Sequence, residues 1–99
     1  MQCAELQAHI TAVRAERGFT TELLQILAHL LEELGEVGRA LKPTWAPIYG
    51  DFDPERLASE LADVNVLLHA LAQAFAIDLE AATLAKLDAD GARDWPSSR

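Results

Sequence analysis

Residues 30–41 read LLEELGEVGRAL, and the fold turns on how this stretch is read. Leu30, Leu34, Val37 and Leu41 recur at three- and four-residue intervals, the period of an amphipathic helix. The same run places Glu32, Glu33 and Glu36 within two turns of one another, and like charges at that spacing lower helix stability. Either these carboxylates stand harmlessly in water or a cation comes between them.

Outward from this stretch the apolar stripe runs back through Leu23, Leu24, Ile26, Leu27 and Leu31 to Thr20 or Thr21, either of which can cap a helix. Pro43 stops it, so the spacing predicts a second helix over 21–41. Upstream, Leu6, Ile10 and Val13 predict a first helix over 2–17, ended by Gly18 in the left-handed position. Downstream, KPTWAPIYGDFD fits neither helical nor strand period and is read as a loop over 42–53. Asp53 followed by Pro54 is a strong N-cap and N1 pair, and Leu57, Leu61, Val64, Leu67, Leu68, Leu71 and Phe75 carry a third helix over 54–76. Asp78 can cap a fourth over 79–90, closed by Gly91, with a tail over 91–99. Four helices and few strand signals predict an all-α fold: one domain over 1–99, an antiparallel four-helix bundle.

Composition agrees, with 51% hydrophobic residues but only five Gly and four Pro in 99 residues, which favours helices over sheet or disorder. A chain this short encloses a limited core, so association with copies of itself is expected. The net charge of −8 argues against binding nucleic-acid backbones or anionic membrane, unless divalent metal supplies positive charge to a phosphate-bearing ligand. Cys3 is the one cysteine, which excludes an internal disulfide and a CxxC site. The most apolar stretch, 64–77, is interrupted by Asn65, His69 and Gln73, and no basic segment precedes an apolar run. A soluble, cytoplasmic protein is expected.

At about 100° per residue, Glu33 and Glu36 lie on neighbouring lines at one border of the apolar stripe of helix two, with His29 between those lines one turn earlier. Glu32 projects from the more polar side. On helix three, Glu60 falls inside the apolar arc, between the lines of Leu67 and Leu71, and Asp63 stands at its edge. A lone ExxE is an ordinary solvated face. A glutamate on an apolar arc, however, costs several kcal/mol, on the order of the penalty for burying an uncompensated charge, unless it finds a partner. The two helices offer Arg39 and Arg56, too few for two acidic pairs. Carboxylates at i, i+3 on two packed helices supply the oxygen ligands that Mg²⁺ or Mn²⁺ prefers.

These residues bring the sequence to a family. The chain resembles the MazG-type, all-α nucleoside triphosphate pyrophosphohydrolases, whose pattern is EExxE, a spacer of one to three dozen residues, then ExxD. Here it reads Glu32-Glu33-Leu34-Gly35-Glu36, 23 intervening residues, then Glu60-Leu61-Ala62-Asp63, and the likeness extends from about Arg17 through Arg93. The resemblance implies Mg²⁺-dependent hydrolysis of a nucleoside or deoxynucleoside triphosphate to the monophosphate and pyrophosphate, in a role such as nucleotide-pool housecleaning, with Mn²⁺ as a substitute. It implies metal ligation by Glu33, Glu36, Glu60 and Asp63, with Glu32 and Glu33 as catalytic carboxylates. Family members also carry a Lys, an Asn four positions on, then an Arg; Lys86 and Arg93 match, while Asp90 stands where Asn is usual. Lys86, Arg93 and Trp95 are thereby candidate substrate contacts, the last two reaching toward a partner chain in a homodimer or dimer of dimers.

Other residues carry less. His29 is placed to donate to Glu33, or to sit partly buried without a chemical duty. Trp45, Tyr49 and Phe52 can stack on a nucleobase or pack their own loop. His9, His69 and Asn65 lack supporting partners. A di-iron carboxylate bundle calls for Glu-x-x-His pairs, which the sequence does not contain. The rival class is a non-catalytic helical assembly module, or pseudoenzyme, that keeps metal for stability.

Overall fold

In the computed structural model, which describes residues 3–91, local backbone devices close the first and third helices, and no strand forms among the described residues. The first helix, α1 (Cys3–Glu16), closes on Gly18, whose φ of +70° an L side chain resists. Gly18 N–H donates to the Ala15 carbonyl at 3.1 Å and Phe19 N–H to that of Arg14 at 3.0 Å. Helix α2 (Leu23–Leu41) starts later than the threonines suggest, because Glu22 is the N-cap residue and makes no side-chain cap. Thr20 instead accepts the Glu22 N–H at 3.0 Å and donates to Gln25 Oε1 at 2.6 Å.

The loop after α2 contains two single 3₁₀ turns, Lys42–Thr44 and Pro47–Tyr49. Its aromatics do not pack: Trp45 and Tyr49 are exposed, and the Tyr49 ring carries the Lys42 ammonium 4.9 Å from its centroid. Helix α3 (Pro54–Ala74) begins as the Asp-Pro pair dictates, with Asp53 Oδ1 accepting the Glu55 N–H at 3.0 Å. It stops two residues before the expected 76, because Ala76 takes the left-handed conformation at φ +53°. Helix α4 (Leu79–Gly91) is capped by Asp78, which accepts the Ala81 N–H at 3.0 Å. Gly91 is itself helical, one residue past the expected end at 90.

α2 and α3 form an antiparallel hairpin, since Ile26 and Leu30 meet Val64, Leu67 and Leu71 while Glu36, further along α2, meets Arg56 at the start of α3. α1 packs against α3. α4 leaves α3 at 97° and rests on α1 with no buried residue of its own. The expected bundle is thus a hairpin with α1 packed on α3 and a fourth helix turned away. The joint that turns it is polar. Gln7, buried to 7% exposure, donates through Nε2 to Gln73 Oε1 at 3.1 Å and the Ile77 carbonyl at 2.7 Å. Its Oε1 lies 3.0 Å from His69 Nδ1 and accepts the Leu79 N–H at 3.3 Å. One amide thereby serves all four of its hydrogen-bonding positions, and it requires His69, 2% exposed, to carry its proton on Nδ1.

The opposite side of the hairpin is apolar and open. Leu24, Leu27, Leu31 and Leu34 of α2 follow a heptad-like spacing, as do Leu61, Leu68 and Phe75 of α3, and all are exposed. The Cα radius of gyration is 16.4 Å, against about 13 Å for a compact chain of this length. Among the described residues no single helix is long and apolar enough to cross a membrane.

Replacing Gln7 by Leu strands the groups around it, each buried polar group left unpaired costing about 1–3 kcal/mol. Urea unfolding of Gln7→Leu is expected to show a loss of about 2–3 kcal/mol; a loss below about 0.5 kcal/mol, the scale of an inert surface change, would show that the joint does not hold α1 and α4.

Candidate metal centre

The hairpin register that seats Leu30 on Leu67 also brings acids together one turn further along α2. Glu33, half-buried on α2, and Glu60 and Asp63, one turn apart on α3, each present a carboxylate oxygen within 4.8 Å of the others. The i, i+3 spacing puts Glu60 and Asp63 on one face, and antiparallel packing supplies Glu33 from across the seam. Glu60 is half-buried, as its place on the apolar arc requires. Its carboxyl is held above the usual glutamate range, first by desolvation, then by the charges of Glu33, Asp63 and Glu36, with Arg56 opposing.

The fourth expected ligand stands apart. Glu36 lies 3.7 Å from Arg56 Nη2 and 3.6 Å from Arg39 Nη1, so the two arginines of the hairpin both go to it and leave the other three acids without a lysine or arginine ion pair among the described residues. Glu32 is exposed, off the cluster. His29 Nε2 lies 3.1 Å from Glu33 Oε1, where a carboxylate must be met by the N–H, and this contact orients the carboxylate as a second partner of a metal ligand would. Lys86, exposed on α4, pairs with the partly buried Asp90 at 3.4 Å, so the lysine and the residue in the usual Asn position are engaged with each other. Arg93 and Trp95 lie outside the described residues.

Beside the cluster opens a cavity of about 540 Å³, walled by Glu33, Asp63 and His29 on one side and by Leu6, His9, Ile10, Val13 and Arg17 of α1 and the turn after it on the other. This volume lies within the range of small-molecule sites. The role of α1 was not legible in its apolar spacing, which reports only that one face is covered; His9 and Arg17 gain meaning from what α1 is packed against. Trp45, Tyr49 and Phe52 do not line this cavity, and the Asn65 side chain is exposed on another side of α3.

The donors fit a hard divalent ion. Octahedral Mg²⁺ at about 2.1 Å from each oxygen needs oxygens roughly 3–4.2 Å apart, so closing from 4.8 Å takes a small adjustment of side-chain torsions. Without an ion the charged Glu60 weakens the fold, because its raised pKa means that the folded state holds the proton more tightly than the unfolded chain does. That penalty is absent below the ordinary value of 4.5 and grows as pH rises through the raised pKa. Metal-free Glu60→Gln is therefore expected to melt above the wild type at neutral pH, the gap closing as pH falls toward 4.5, while added Mn²⁺ raises the melting temperature of the wild type and not of the variant. Equal melting temperatures at neutral pH, or equal Mn²⁺ stabilisation, would contradict this arrangement. Comparison with known protein families, with curated proteins and with solved structures finds no match, so the site is read from its own geometry.

Proposed function

We propose that the protein is a divalent-metal-dependent nucleoside triphosphate pyrophosphohydrolase, yielding a nucleoside monophosphate and pyrophosphate. One observation carries this reading: three carboxylates from two helices meet within 4.8 Å at the edge of a cavity of about 540 Å³ whose other wall is largely apolar. Acidic oxygens at one end suit a metal and the phosphates it draws in; apolar side chains at the other suit a sugar and base. The MazG-type pattern of the sequence supports the same class.

Glu33, Glu60 and Asp63 would hold the ion, and Glu36 would join by leaving its arginines. A bound Mg²⁺ or Mn²⁺ lowers the pKa of water and offsets charge on the phosphates. In the reaction a water oxygen bonds to the α-phosphorus as the bond from that phosphorus to the bridging oxygen of pyrophosphate breaks, and the proton lost by the water passes to a carboxylate. Glu32 and Glu33 are the candidates to take it; Glu32 has no ion pair among the described residues, and His29 holds Glu33 in place. The non-catalytic metal-binding module keeps one observation in its favour, the engagement of Glu36 by Arg39 and Arg56. Purified protein with Mg²⁺ and a panel of canonical and modified triphosphates is expected to release pyrophosphate and monophosphate in equal amounts. Glu33→Gln and Asp63→Asn should each lower turnover at least about 100-fold, the scale of losing one group that stabilises a charged transition state. Absence of pyrophosphate across the panel, with Mn²⁺ still bound, would establish the non-catalytic module instead.

The partner chain in this proposal is a second copy. The exposed stripe from Leu24 to Leu34 and from Leu61 to Phe75 presents on the order of 600 Å² of apolar surface, at the limit for monomers and close to one side of a standard interface. Its heptad-like spacing on antiparallel helices is suited to pair with itself. Sedimentation equilibrium should give an integer multiple of the 10.8 kDa chain mass, and Leu31→Glu should reduce it to one; a monomeric wild type at micromolar concentration would rule out self-association through this face.

A further inference from the structure

We infer that Arg17 is the contact for the outer phosphates of the substrate, and hence for the pyrophosphate product, across the cavity from the carboxylates. The inference rests on the nucleotide reading above and adds to it a residue that the acidic motif does not contain. Six lysines and arginines lie among the described residues, and five are engaged. Arg39 and Arg56 are on Glu36, and Lys86 is on Asp90. Lys42 stands over Tyr49, while Arg14, which also lines the cavity, stacks on Phe19, 5.3 Å from its centroid, and donates to the Thr20 carbonyl at 3.0 Å. Arg17 alone among them has no side-chain partner among the described residues, in a chain with twice as many acidic as basic residues, and it borders the cavity that Glu33 and Asp63 enter.

Charge and shape both favour this role. Three ionised carboxylates and one divalent ion still sum to a negative charge, so a cation on the facing wall would offset the charge of a polyphosphate where the chain extends away from the ion. Arginine presents a planar fork of donors that matches two phosphate oxygens at once, which an ammonium does not. Its backbone is anchored for the task, because Arg17 N–H closes the last turn of α1 on the Val13 carbonyl at 3.0 Å and Gly18 turns the chain immediately afterwards. Beside it His9 offers a second ring donor from the same wall.

Calorimetry with Mg²⁺ present, using a non-hydrolysable α,β-imido nucleoside triphosphate, inorganic pyrophosphate and a nucleoside monophosphate, separates this from the metal reading, which is followed independently by Mn²⁺ titration with electron paramagnetic resonance. Arg17→Ala is expected to weaken the imido analogue and pyrophosphate at least about tenfold while leaving monophosphate affinity, Mn²⁺ affinity and helical content unchanged. Arg17→Lys should fall between, and Lys42→Ala should match the wild type. Unchanged analogue and pyrophosphate binding in Arg17→Ala overturns the inference, as does an equal loss for the monophosphate. A wild type that binds Mn²⁺ but neither polyphosphate also overturns it, leaving the metal site standing; one that binds no Mn²⁺ defeats the functional reading and this inference together.

Discussion

The seam between α2 and α3 carries two opposed demands, and the molecule is arranged around both. Ile26, Leu30 and Leu67 bury one another along it, and that packing sets a single antiparallel register, because sliding one helix past the other would empty the leucine contacts. The same register drives Glu33 against Glu60 and Asp63, where like charges in partly desolvated positions repel. The apolar contacts hold the acids together; the acids take back part of the stability the contacts supply. Desolvation and that repulsion are registered in the raised proton affinity of Glu60, and the proposed divalent ion would offset the repulsion.

The two flanks of the hairpin divide the remaining work. On one flank α1 covers the acidic side, and between them lies the cavity that His29, Arg17, Glu33 and Asp63 line. The other flank is the leucine stripe, open to solvent. The Gln7–His69 joint anchors the first arrangement at its far end, tying α1 to α3 and turning the chain into α4. The proposed substrate chemistry and the proposed self-association would thus use different faces of the same two helices, and a change on one need not disturb the other.

What could be read from sequence was what local physics decides. Asp53-Pro54, Asp78 and Gly18 act on the next few residues, and each acts as expected. Glu60 betrayed itself by standing on an apolar arc. Ala76 gave no warning, because an alanine at positive φ is held there by tertiary context rather than by its own preference. Glu36 could not be separated from the other acids, since one of its two cations, Arg56, arrives from a different helix, and only the hairpin register decides which acid it meets. The direction of α4 depended on a buried glutamine that contacts residues more than sixty positions away, and the meaning of Arg17 on the packing of α1 over the site.

The central claim is that Glu33, Glu60 and Asp63 are one divalent-metal site. Crystals soaked in Mn²⁺ and measured at the manganese absorption edge test it directly. The account predicts an anomalous peak within about 2.0–2.3 Å of a carboxylate oxygen from each of the three. A structure in which those oxygens point apart into solvent, with no peak between them at saturating Mn²⁺, would contradict it.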